Sequence, residues 1–337
     1  MNKEKSYDIN TATPMPNERP MLIACTDLSS NSVEALRQAA RMAGLLDYQI
    51  RLVFVVNPSA VLQNNSKDTE ARHEELRAWA NDQLRKLHAT VFDGLNVEAA
   101  VVELHASAEP GSLARPAERH AVAEAICKVA KDTKAEMIVL GTHGESGLSD
   151  LVVGTVLKRV VRLAPCDVYT ARPNPKYATD GAIDFSMLEK RSPKSGIKSV
   201  LCAIDFSPGS KIALEHAVHI AKESKATLHV MHTYRVPFWM GPGSDEIQKQ
   251  LESQVKHSIE ESVLPYQNEG INIECEVSAG RPSLQIHAQA QKVKADLIVM
   301  GVLGQTDLAD ILVGSVTERV IRIATSPVLA VRQNENH

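Results

Sequence analysis

A doubly wound α/β fold, present twice along one chain, is predicted by three observations. Strand-like apolar runs alternate with helical segments throughout, the runs are apolar on both faces, and a glycine skeleton recurs with the same spacing in the two halves. Such alternation implies parallel strands joined by crossover helices, and strands buried on both faces imply helices on each side of the sheet. Right-handed crossovers leave a doubly wound sheet as the economical solution. At 337 residues the chain is long for one core and comfortable for two.

The first strands are MLIACTD (21–27) and KSVLCAIDF (198–206), each carrying an aspartate at its end, Asp27 and Asp205. Helices follow. One bears Ala35, Leu36, Ala39, Ala40 and Ala43. The other begins with Ser207 as cap and Pro208 at its first position, and buries Ala213, Leu214, Ala217, Val218 and Ala221. QIRLVFVVNP and TLHVMHTYRV are rich in β-branched residues and read as second strands. A long helix with Ile247, Leu251, Val255, Ile259 and Val263 on one stripe follows in the second half. NVEAAVVEL and NIECEVSA are third strands, AEMIVLG and ADLIVMG fourth strands, and CDVYTAR and SPVLAVR the last.

These readings give a five-stranded parallel sheet in each half, with domains expected at 19–173 and 197–333. Prolines, glycines and mixed charge mark 174–196 as a linker, in which AIDFSMLEK is expected to make one short docked turn. The first half carries an insertion, HASAEPGSLARPAERH (105–120). Its Arg115 and Arg119 suit a solvated loop better than a lid.

Composition excludes several function classes. Hydrophobic residues make up 44%, charged residues 23%, and the net charge is −4, so no basic excess points to nucleic acid or an anionic membrane. The first twenty residues are polar and no later apolar run is long enough to span a bilayer, so a cytoplasmic protein is expected. Cys25, Cys127, Cys166, Cys202 and Cys275 show no CxxC spacing and read as small buried hydrophobes.

The glycine skeleton carries the chemistry. GTHGESGLSDLVVGT contains Gly141, Gly144, Gly154 and Thr155, and GVLGQTDLADILVGS contains Gly301, Gly304, Gly314 and Ser315. In a doubly wound sheet the ligand crevice opens at the carboxyl ends of the strands where the chain order reverses, between the first and fourth strands. Asp27 and Asp205 therefore share a crevice with Gly141 and Gly301 respectively. Glycines let backbone N–H groups approach phosphate oxygens, and Thr155 and Ser315 open helices whose first turn favours an anion. A structural role, in which the glycines only cap a strand and a helix, is the competing reading.

The pattern GxxGx9G(S/T), with CTDLSS, AIDFSPGS and the endings LAPCDVYTAR and ATSPVLAVR, resembles the universal stress protein family in its tandem form. The resemblance implies flavodoxin-like domains packed as a pseudo-dimer through their last strands, with homodimerisation beyond that. It also implies binding of ATP or another adenine nucleotide. On this resemblance Asp27 and Asp205 contact the nucleoside, Val55 and Thr233 line the adenine side, and the motif glycines with Thr155 and Ser315 hold phosphates. Glu145 and Gln305 stand where many nucleotide-binding members carry a basic residue. A carboxylate beside phosphates is costly without a cation, which ranks the second copy above the first.

No lysine follows the last glycine and no base is placed to activate water, so little or no turnover is expected. His143 reads as a loop contact. His216, His219, His229 and His232 do not form a metal site, because residues 229 and 232 of one strand point to opposite faces. The leading expectation is a stress-response sensor that binds adenine nucleotide and acts through a protein partner. The alternatives are a nucleotide-free scaffold and a slow ATP hydrolase using Mg held by Glu145 or Asp310.

Overall fold

The computed structural model describes residues 8–9, 19–56, 69–104, 114–143, 154–178, 181–188, 196–234, 245–303 and 313–333. The chain divides into two compact units, Met1–Lys194 and Ser195–His337.

Unit 1 runs β1 (Asp8–Ile9), β2 (Met21–Thr26), α1 (Val33–Leu46), β3 (Gln49–Val56), α2 (Thr69–Thr90), β4 (Val97–Glu103), α3 (Ala114–Asp132), β5 (Met137–Gly141), α4 (Thr155–Leu163) and β6 (Asp167–Ala171). Its sheet order is β1-β4-β3-β2-β5-β6, and every pairing except that of β1 is parallel. The order reverses between β2 and β5, as a doubly wound sheet requires. Leu22, Ile23 and Ala24 of β2 are fully buried, because that central strand is covered on both faces.

Unit 2 runs β7 (Ser199–Ala203), α5 (Pro208–Ser224), β8 (Thr227–Tyr234), α6 (Asp245–Val263), β9 (Ile273–Ala279), α7 (Pro282–Lys292), β10 (Leu297–Gly301), α8 (Ser315–Ile323) and β11 (Val328–Val331). Its sheet is wholly parallel, in the order β9-β8-β7-β10-β11. Ser207 caps α5 as expected, its hydroxyl accepting from Ser210 N, with Pro208 in the first turn.

The repeat extends to backbone conformations that no glycine announces. Among the described residues, the non-glycine residues with positive φ are Leu28, Asp47 and Lys134 in unit 1, and Phe206, Lys225 and Lys294 at the matching places in unit 2. Asp47 and Lys225 end α1 and α5 in the left-handed conformation that closes a helix. Cross-strand partners also correspond. Arg51 on β3 bonds Glu98 on β4, and at the same register His229 on β8 meets Glu274 on β9 at 3.2 Å.

The sheet of unit 1 has one strand more than its sequence suggests. Asp8–Ile9 pairs antiparallel with Val102–Glu103 at the sheet edge. Two residues in a polar tail carry no alternation, and their extended form comes from the edge that they cover. The stretch AIDFSMLEK contains the short 3-10 turn Phe185–Met187. Cys25, Cys127, Cys166 and Cys202 are buried and Cys275 is partly exposed. Among the described residues no helix is long and apolar enough to cross a membrane.

Candidate functional site

The first wall of each crevice is the turn after the first strand. In unit 1, Asp27 Oδ1 accepts from Ser29 N at 3.0 Å and Ser29 Oγ at 2.6 Å, with Leu28 at φ 61° between them. In unit 2, Asp205 Oδ1 accepts from Ser207 N at 3.1 Å and Ser207 Oγ at 2.5 Å, with Phe206 at φ 63°. An aspartate that bonds its own backbone two residues on holds the chain in a tight turn. The turn in turn fixes the direction of its carboxylate.

The second wall is the glycine loop, and the two copies are stitched alike. The Thr142 carbonyl accepts from Gly154 N at 2.9 Å, and the Val302 carbonyl accepts from Gly314 N at 2.7 Å. The residue after the first glycine thereby draws the last glycine back to the strand end. Gly144 and Gly304 lie outside the described residues. So do Glu145, Gln305 and Asp310.

Gly154 and Gly314 sit at the N-caps of α4 and α8 with φ −56° and −63°, and neither helix has a side-chain cap. The first-turn amides of a helix have no intrahelical acceptor, so uncapped ends of this kind suit an anion. Thr155 is partly exposed and Ser315 exposed at the first helical position.

The two walls meet through glycine. A Cβ on Gly301 would come within 3.0 Å of Gly209 C and 3.1 Å of its carbonyl oxygen, and one on Gly209 would meet the Leu303 carbonyl at 3.2 Å. A Cβ on Gly141 would meet the His143 carbonyl at 3.2 Å and the Asn31 carbonyl at 3.7 Å. In unit 2 the first glycine is thus required by close packing against the start of the helix after the first strand, whereas in unit 1 the tight contact is with the His143 carbonyl of the loop itself. By contrast, a Cβ on Gly154 would make only an ordinary contact with the Thr142 carbonyl at 3.5 Å.

Unit 2 brings Asp205, Gly301, Gly314 and Ser315 into one connected arrangement, and unit 1 does so with Asp27, Gly141, Gly154 and Thr155. Val55 and Thr233 stand on the neighbouring strands β3 and β8, both partly exposed. Sequence reasoning missed Thr317, whose buried hydroxyl donates to the Gly301 carbonyl at 2.8 Å and ties α8 to the strand end. A threonine two residues past a serine signal is too common to single out. It also missed that Phe206, 41% exposed, stacks on His232 with ring centroids 4.7 Å apart. His232 Nδ1 donates to the Ile204 carbonyl at 2.9 Å, so its ring is oriented by the end of the first strand.

The remaining histidines have other surroundings. His143 Nδ1 lies 2.8 Å from Thr142 Oγ1, a contact within the loop, and His229 faces Glu274. Arg115 and Arg119 fall in the first turns of α3, and Arg119 is exposed. In the first strands, burial pushes the thiols of Cys25 and Cys202 far up, which keeps them protonated and chemically quiet.

Fold and site together define a tandem of doubly wound α/β domains, each with an aspartate turn facing a glycine-rich strand-to-helix loop. The chain belongs to the universal stress protein family: the family model matches residues 21–172 and again 196–332. A universal stress protein of Mycolicibacterium smegmatis is 23% identical over 324 residues, covering 92% of this chain and 96% of that protein. One from Methanocaldococcus jannaschii is 36% identical over 147 residues, 42% of this chain and 86% of that protein. The crystal structure of a universal stress protein from Archaeoglobus fulgidus superposes with a TM-score of 0.62 at 21% identity, covering 94% of this chain and 97% of that one. At that identity the superposition speaks for the fold alone.

Proposed function

We propose that the chain binds ATP or a related adenine nucleotide, foremost in unit 2, and works in the cytoplasm as a stress-response sensor acting through a protein partner, with little or no turnover. The observation that carries this reading is the junction of the Asp205 turn with the stitched glycine loop. It joins a turn that fixes the Asp205 carboxylate to a strand end that is itself tied to an uncapped helix. Asp205 and Thr233 then take the nucleoside. Gly301, Gly304, Gly314 and Ser315 take the phosphates through backbone amides and one hydroxyl. In unit 1 the same roles fall to Asp27, Val55, Gly141, Gly144, Gly154 and Thr155.

The scaffold reading draws on one specific observation. Gly301 and Gly141 are needed by packing, whatever the ligand. Gly154, however, is under no such steric demand, which favours a ligand role for the last glycine of the motif. Equilibrium titration with ATP, ADP and AMP separates the two readings, because a scaffold binds none of them. Phosphate release with and without magnesium tests the slow-hydrolase alternative. A rate no greater than that of ATP alone is the expected result.

A further inference from the structure

The two crevices differ in what covers the aspartate turn. In unit 1 the segment Gly181–Leu188 crosses it. Ile183 N donates to the Leu28 carbonyl at 3.2 Å, Ser30 N donates to the Gly181 carbonyl at 3.0 Å, and Ala182 forms an antiparallel bridge with Ser29. Leu28, Ser29 and Ser30 are left only 5%, 3% and 2% exposed, and Ile183 and Leu188 are themselves buried.

The far end of this segment reaches α2. Its 3-10 turn packs on that helix, and Lys86 Nζ lies 5.8 Å from the centre of the Phe185 ring. Asp184 accepts from Ser186 N at 2.9 Å and Ser186 Oγ at 2.6 Å, which closes the turn. The segment therefore ties the loop after β2 to the helix after β3. It lies over the three residues that follow Asp27, while Asp27 itself stays partly exposed.

Unit 2 cannot take such a cover in the same way. The residue matching Ser30 is Pro208, which has no N–H to donate, and Phe206, matching Leu28, is 41% exposed. The aspartate turns are alike in geometry, so the difference lies in the covering segment and not in the turn.

We infer that Gly181–Leu188 is an internal strap that keeps the crevice of unit 1 closed to nucleotide, so that the chain binds one nucleotide, in unit 2, until the strap is released. The inference rests on the nucleotide reading of the preceding section and assigns the regulation of the same pair of sites. A protein partner or modification that draws the strap away would add a second bound nucleotide, which gives a two-site family member a graded output.

Titration calorimetry with ATP tests it, using the full chain and two strap variants. Ile183→Pro removes the N–H that bonds Leu28 and the buried side chain together. Gly181→Val strains the backbone at φ 140°, a region that side-chain-bearing residues rarely adopt, without altering any packed side chain. Wild type should bind one ATP per chain, and each strap variant should bind two. Gly314→Asp alone should bind none, and Gly314→Asp with Gly181→Val should bind one. Two ATP per wild-type chain would overturn the strap and leave the nucleotide reading standing. So would a single site in wild type that survives Gly314→Asp, or a strap variant, folded by circular dichroism, that still binds only one. No binding by the wild type or by either strap variant would overturn the nucleotide reading itself, and the strap's role with it.

Discussion

Asp205 holds Ser207 through a single carboxylate oxygen, which accepts from both the amide and the hydroxyl of that serine, and Asp27 holds Ser29 in the same manner. The aspartate is thereby oriented before any ligand arrives. Preorganisation of this kind lowers the ordering cost of binding. Replacing Asp205 by alanine removes both the turn and the charge, and should weaken ATP binding at least tenfold, about 1.4 kcal/mol. Asp27→Ala should leave the affinity of the strap-closed protein unchanged. Parallel calorimetric titrations of the two variants check both outcomes.

The first and last positions of the glycine motif should respond unequally, as Gly301 of the second copy and Gly154 of the first illustrate. Gly301→Ala forces a Cβ to within 3.0 Å of the Gly209 backbone, which cannot yield as a flexible side chain would. A cost of about 1–3 kcal/mol follows from such overpacking. At Gly154 the same change meets the Thr142 carbonyl at 3.5 Å with φ already at −56°. Its cost should stay below about 1 kcal/mol. Urea denaturation followed by circular dichroism distinguishes the two, and equal losses would contradict the packing role assigned to Gly301.

Much of this arrangement was legible in the sequence. Strand order, the aspartate at each first-strand end and the glycine skeleton all follow from patterns with a fixed period or spacing. What could not be read is tertiary. Leu28 and Phe206 adopt positive φ because the aspartate turn demands it, and neither residue type advertises that. The strap consists of residues that composition marks as a linker. Its hold on unit 1 depends on two backbone hydrogen bonds and the buried Ile183 and Leu188, which no local pattern encodes. The β1 pairing is equally silent, since an edge strand supplies the partner. The second glycine of each motif lies outside the described residues, as do Glu145, Gln305 and Asp310.

Acid should loosen the strap. Hydrogen bonds from the Ser186 hydroxyl and amide hold the Asp184 carboxyl below its ordinary range. A carboxylate with a lowered folded-state pKa stabilises the fold above its unfolded pKa, and that stabilisation fades as pH falls through the lowered value. The Ser186 amide should therefore exchange faster, relative to neighbouring amides, as pH drops below the usual carboxylate range. In Asp184→Ala, which has no acceptor, the Ser186 amide should exchange fast at all pH values. Unchanged relative protection at low pH would contradict the capping role.

The thiols should divide by burial. Cys25 and Cys202 are buried and their thiols are pushed up, so the reactive thiolate is suppressed. Cys275 on β9 is also pushed up by burial, but it is only partly covered. Alkylation of the native protein at mildly alkaline pH, read by peptide mass mapping, should modify Cys275 first. Cys25 and Cys202 should react only after unfolding.

The most direct test of nucleotide binding in unit 2 is ATP affinity in wild type and in Gly314→Asp. Gly314 is an N-cap with φ −63° and ψ 136°, a conformation and a position that aspartate fills well, so the helix should remain formed. Its carboxylate, however, would stand where we propose that the phosphates lie. The account predicts saturable binding by the wild type and loss of at least a hundredfold in the variant, with the circular dichroism spectrum unchanged. Equal affinity in both proteins, or no binding by the wild type, would contradict it.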